Sequence, residues 1–121
     1  MHSSEQVGGR ASTRLLALAL AVVYVALDAA KPLQMDDPYY YLYARQIAER
    51  PLDPYGFTLM YWNWLFPANW VLAPPVLPYW WALAIRLFGE QPVLWKLWLL
   101  PFALAFTLSL ESLFHRFARG L

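Results

Sequence analysis

The chain has no cysteine, which excludes disulfides, thiolate metal sites and cysteine nucleophiles at once. Charge is also scarce: 14% of the 121 residues are charged and the formal net charge is +1. The basic residues are scattered and never form a run, so nothing recommends nucleic acid or another polyanion as a partner. The two histidines, His2 and His115, stand too far apart and too isolated to suggest a metal site. A Ser-His-Asp constellation, a glycine-rich phosphate loop and zinc-ligand spacing are all missing. Apolar and aromatic side chains are what the sequence has in quantity, 60% and 18% of the chain. Trp and Tyr favour the boundary between membrane and water, so the composition points to an interface as well as a span.

The pattern predicts an all-α membrane protein, two transmembrane helices joined by an external loop with two juxtamembrane helices. Residues 1–14 show no helical or strand period and read as a disordered cytoplasmic tail. Leu15 to Leu27 is apolar apart from Tyr24, and continued to Leu33 it approaches the roughly 20 residues that cross a bilayer. This gives a first span over 15–33, with Asp28 tolerable as a boundary residue and spaced to pair with Lys31 on one helical face. The stretch also resembles a signal-peptide core, but Asp28-Ala29-Ala30 puts a carboxylate where cleavage wants a small residue, so an uncleaved anchor is the reading. The second span is 93–114, kinked at Pro101. Its Lys96 and Glu111 lie about 22 Å apart along the helix, too far to pair with each other, and are expected to snorkel to opposite boundaries. His115, Arg116 and Arg119 then match Arg10 and Arg14 as basic flanks. The positive-inside rule puts both termini, including the 115–121 end, in the cytoplasm and the 34–92 loop outside.

Within that loop, Asp37 as N-cap, Pro38 at the first helical position and Pro51 after the end predict a helix over 38–49. Pro74-Pro75 and Gly89 bracket a second over 75–88, too short to span and carrying Tyr79, Trp80 and Trp81 for the headgroup region. Between them Leu52 to Ala73 carries turn signals at Asp53-Pro54, Tyr55-Gly56 and Phe66-Pro67.

The segment Met35-Asp36-Asp37-Pro38-Tyr39-Tyr40-Tyr41 places two carboxylates just after the first span and at the start of a helix. Capping by Asp37 and simple solvation of Asp36 would account for both. A carboxylate fixed at a membrane surface can instead accept the proton of a substrate hydroxyl, which would leave Asp37 to cap and Asp36 for chemistry. Arg45, Arg50 and Arg86 are the loop cations open to a phosphate, with Glu49 and Asp53 as competing partners. Trp62, Trp64 and Trp70 could stack on a sugar or anchor at the interface, the commoner use.

From Leu15 to Leu121 the sequence resembles the multispanning C-type glycosyltransferases that use polyprenyl-phosphate sugars, which include protein O-mannosyltransferases and aminoarabinose-type transferases. The matching residues are Asp36-Asp37, Tyr40 to Tyr43, Ala44-Arg45, Pro74-Pro75, Tyr79-Trp80 and Leu87-Phe88-Gly89. The resemblance implies that Asp36 is the catalytic acid-base residue and Asp37 a second, supporting acid. It implies a polyprenyl-phosphate-linked sugar as donor, the lipid bilayer as surroundings and a bacterial inner (plasma) membrane with the loop periplasmic or extracellular. No cofactor is required by the sequence, and a divalent metal is left open. The pattern departs at Met35, where relatives carry His, and at Ala73, where they carry Glu, His or Asn. The family has many more spans, so the expectation is an N-terminal part of an inverting transferase, inactive as 121 residues alone and completed by the remainder of a longer chain. The alternative is a small non-enzymatic two-pass protein whose external aromatic loop packs against a partner.

Overall fold

The computed structural model describes residues 2–71 and 74–118, those up to residue 10 as backbone. Ala73 and Arg119 therefore lie outside the described residues. The elements are α1 (His2–Ala29), α2 (Asp37–Glu49), β1 (Thr58–Tyr61), β2 (Trp64–Pro67), α3 (Ala68–Val71), α4 (Val76–Phe88), α5 (Pro92–Leu97) and α6 (Leu100–Ala118). They form two compact units, Met1–Lys31 with Lys96–Leu121, and Pro32–Trp95.

The first unit is a helix pair. Among the described residues, Ala11–Ala29 and Pro92–Ala118, 19 and 27 residues, are the two stretches long and apolar enough to cross a membrane. At 1.5 Å per residue the shorter one is about 29 Å, close to the hydrocarbon thickness of a bilayer. Residues 2–14, expected as a disordered tail, continue α1 as helical backbone. Propagating an existing helix adds one hydrogen bond per residue, and Gly8 and Gly9 each oppose that by only about 1 kcal/mol.

Polar contacts pin the pair at two levels. Arg14 donates to Glu111 Oε2 from Nη2 at 2.9 Å and from Nε at 3.3 Å, and His115 Nε2 lies 3.1 Å from Glu111 Oε1. At the far end Lys96 Nζ donates to the carbonyls of Asp28 and Lys31 at 3.3 and 3.4 Å. The ammonium thus meets carbonyls at and just beyond the C-terminus of α1, where the helix dipole favours a cation. Asp28 also pairs with Lys31 at 3.7 Å. These pairings make α1 and α6 antiparallel, with the two polar levels about 21 Å apart along α1. Lys96 and Glu111 are both buried, each against a partner on α1. The expected kink at Pro101 is a full break: Trp98 and Leu99 separate α5 from α6. Pro101 has no N–H to offer the Leu97 carbonyl, and α6 restarts on the Leu99 carbonyl, which accepts from Phe102 and Ala103.

The second unit contains the structure's departure from an all-α fold. β1 and β2 pair antiparallel, with Leu59 opposite Phe66 and Met60 opposite Leu65, around the two-residue turn Trp62-Asn63. Both turn residues have positive φ, 49° and 66°, as a type I′ turn needs to match the strand twist. One hairpin face supplies Leu59, which packs with Tyr43 of α2 and Ala68 of α3 in a buried cluster flanked by Tyr55, Phe57 and Val71. α2 and α4 pack on each other, and Ala44 and Ile47 of α2 and Trp81, Ala82 and Ala84 of α4 are buried. Tyr79 Oη donates to Pro51 O at 2.7 Å and Arg86 Nε to Ala48 O at 2.8 Å, both closing the C-terminal end of α2. α4 stops at Gly89, whose φ of 74° and ψ of −167° lie in a region almost reserved for glycine.

Candidate functional site

The acidic pair sits at the entrance of α2, after a tight turn. Asp37 N–H donates to Gln34 O at 3.0 Å, and Gln34 N–H returns a bond to Asp37 Oδ2 at 3.2 Å. Inside this closed loop Met35 has φ 51°, a left-handed conformation that costs a non-glycine residue about 1–2 kcal/mol. The Asp36 carbonyl accepts from both Tyr39 and Tyr40, which starts the helix one residue earlier than expected. Asp36, not Asp37, therefore holds the N-cap position, and it does so with helical dihedrals and no side-chain capping bond. The N-cap position shifts by one residue from the expected one: Asp37 is helical and half-buried, with one carboxylate oxygen bonded within the turn, while Asp36 is exposed.

Aromatic side chains frame this entrance. The Tyr39 ring meets Tyr61 of β1 edge-on at 5.5 Å, so the hairpin borders the first turn of α2. One turn deeper, Tyr43 Oη donates to Ala68 O at 2.6 Å, and its ring packs edge-on against Phe57 at 5.1 Å and Tyr55 at 5.9 Å. Burial, and then the neighbouring Tyr55, push the Tyr43 phenol above its ordinary pKa. Sequence reading missed Tyr61 and the hairpin as neighbours of the acids. The available signal was a run of β-forming aromatics on either side of Asn63.

The cations gather elsewhere. Arg45 lies 3.5 Å from both Glu49 and Glu90, and Arg86 is bonded to Ala48 O. Arg45 is about 13 Å along the helix from Asp36, so the structure does not bring these guanidinium groups to the carboxylate pair. Beside them Tyr41 stacks on Trp95 at 4.9 Å, and burial followed by the Glu90 carboxylate raises its pKa, with Arg45 opposing. Trp95 is fixed in turn by its Nε1 bond to Gly89 O at 2.9 Å. Trp62, Trp64 and Trp70 are exposed. Among the described residues no three His, Cys, Asp or Glu side chains converge as a metal site.

Chemically, the entrance of α2 offers one exposed carboxylate on a braced turn beside tyrosine rings, an arrangement that can accept a hydrogen bond from a hydroxyl. A separate groove of about 430 Å³ lies in the helix pair, lined by Ala17, Thr107, Leu110, Glu111, Phe114 and His115 among others. The described chain is thus a mostly helical protein with two helices able to span a membrane and a small hairpin-bearing unit between them. Comparison with protein-family models, curated proteins and solved structures gives no match.

Proposed function

We propose that this chain is the membrane-held acidic platform of a glycosyltransferase that moves a sugar from a polyprenyl-phosphate carrier to an acceptor hydroxyl on the non-cytoplasmic face, with inversion. α1 and the α5–α6 stretch cross the membrane, both termini are cytoplasmic, and Pro32–Trp95 stands outside. The acceptor oxygen bonds to the anomeric carbon, the bond from that carbon to the phosphate oxygen breaks, the phosphate leaves with the electron pair, and the acceptor proton passes to Asp36. An aspartate is a weak base, so it orients the hydroxyl and takes the proton late. Asp37 braces the turn that carries Asp36.

The observation that carries the reading is the contrast within the pair. Asp36 is exposed and does no capping although it occupies the cap position, while Asp37 holds the turn. An N-cap aspartate without its capping bond forgoes about 1 kcal/mol of helix stability, which a chemical use of the carboxylate would explain. The test is sugar transfer in membranes from cells expressing the complete reading frame. Asp36→Asn should lower transfer by at least about 100-fold, the scale of a lost general base, with protein level unchanged. Undiminished transfer by Asp36→Asn refutes the assignment of the base, and no transfer by the unaltered protein refutes the transferase reading.

A further inference from the structure

The hairpin has one face in the core and one face open. Leu59 is buried and Phe66 half-buried on the inner side, whereas the cross-strand pair Met60 and Leu65 on the outer side is 63% and 70% exposed. At the turn and just beyond it, Trp62, Trp64 and Trp70 are exposed by 79%, 72% and 72%. Met60 and Leu65, with the Trp62 indole at the turn, leave a largely apolar surface uncovered on this side of the hairpin. The patch also lies within a stretch from Pro54 to Ile85 that has no charged side chain.

Two features select the occupant. The first is chemical: a patch of Trp, Met and Leu without charge suits the headgroup and upper acyl region of a bilayer, where indoles are favoured. The second is connectivity. Pro32 follows Lys31 and Trp95 precedes Lys96, and in the helix pair Lys96 is bonded to the Lys31 and Asp28 carbonyls. The Pro32–Trp95 unit is therefore joined to the helix pair at both of its ends, through Lys31 and Lys96. If those helices span a membrane, the tether holds the hairpin at high effective concentration next to the lipid surface. We infer that the outer face and turn of the β1–β2 hairpin, Met60, Trp62 and Leu65, dock into the lipid interface as a third membrane contact. This inference rests on the reading of α1 and α5–α6 as spans, and it adds a lipid-binding role for the hairpin that the transferase reading does not require.

The absence of cysteine makes the test direct. Leu65→Cys, Met60→Cys, Leu52→Cys and Leu20→Cys variants are each labelled with an environment-sensitive fluorophore and reconstituted in phosphatidylcholine vesicles with or without brominated acyl chains. Labels at 65 and 60 should emit at shorter wavelength, lose at least half of their intensity to brominated lipid and resist iodide. The label at 52, a position 97% exposed outside the patch, should show the reverse. Iodide quenching at 65 and 60 equal to that at 52, with no effect of bromine, overturns the inference. Protection from both quenchers also overturns it, in favour of a protein partner or a second copy of the chain. Position 20 separates the two levels of the argument. Bromine quenching there but not at 65 and 60 defeats the hairpin contact alone, and no bromine quenching at 20 defeats the membrane reading on which it rests.

Discussion

Replacing Tyr43 with Phe removes one oxygen from the centre of the Pro32–Trp95 unit and leaves the ring in place. Tyr43 is 1% exposed, and its hydroxyl makes a 2.6 Å bond to the carbonyl of Ala68, which is itself fully buried. The loss strands that carbonyl, at a cost of about 1–3 kcal/mol, while the edge-on contacts with Tyr55 and Phe57 survive. Tyr43→Ala also removes the ring and should cost about 3–5 kcal/mol. Because this side chain joins α2 to the segment after β2, the loss should appear first as hairpin opening. Amide exchange at Met60 and Leu65 is the assay, on protein in detergent micelles. A loss of 1–2 kcal/mol raises exchange by opening some 5–30-fold, with the α1 and α6 amides unchanged. The same hydroxyl gives the unit a pH limit. Its pKa is raised in the folded state, so the stability it contributes is complete below the unfolded value near 10 and is lost as pH climbs through the folded value. Absorbance titration at 295 nm should show late titration of Tyr41 and Tyr43, with one of the two late tyrosines missing in Tyr43→Phe. If Tyr43→Phe exchanges like the parent and the titration is unchanged, the hydroxyl does not hold the hairpin to α2 and the account of this core is wrong.

Other perturbations address the helix pair and the α4 end. Glu111→Ala leaves Arg14 and His115 without their shared carboxylate. A fully buried pair loses 3–5 kcal/mol in such a case, but the Arg14 side chain is 46% exposed and can be rehydrated, so about 2 kcal/mol is expected in thermal unfolding in micelles. Arg14→Leu combined with Glu111→Leu should recover most of that loss. Gly89→Ala should cost about 1–3 kcal/mol through backbone strain alone, since an added Cβ meets nothing within 4 Å. A neutral result in denaturant titration would show that the Gly89 conformation is not needed to end α4.

How much of this was legible in the sequence depends on whether the controlling contact is local. The limits of α2 and α4 follow from residues beside them: Asp37-Pro38 and Arg50-Pro51 for one, Pro75 and Gly89 for the other. The hairpin was hidden because its turn uses Trp62 at positive φ, where sequence rules look for Asn or Gly, and because Pro67 argues against a strand. A two-stranded ribbon has only edges, which is where proline is tolerated. The partners of Glu111 and Lys96 were illegible for another reason: Arg14 is 97 positions from Glu111 and Asp28 is 68 from Lys96, and no local period encodes such pairs. At the acidic pair the sequence put the N-cap one residue too late, on Asp37 in place of Asp36. A left-handed Met35 lets Asp37 fold back on Gln34, so the helix starts at its neighbour.

The central claim is that two helices hold Pro32–Trp95 on the non-cytoplasmic side of a membrane. A reporter active only outside the cytoplasm, inserted at Gly56 in one fusion and placed after Arg119 in another, tests it most directly in living cells. The account predicts activity at Gly56 and none after Arg119. No activity at Gly56 with activity after Arg119 would contradict it and would remove Asp36 from the face on which its chemistry is proposed.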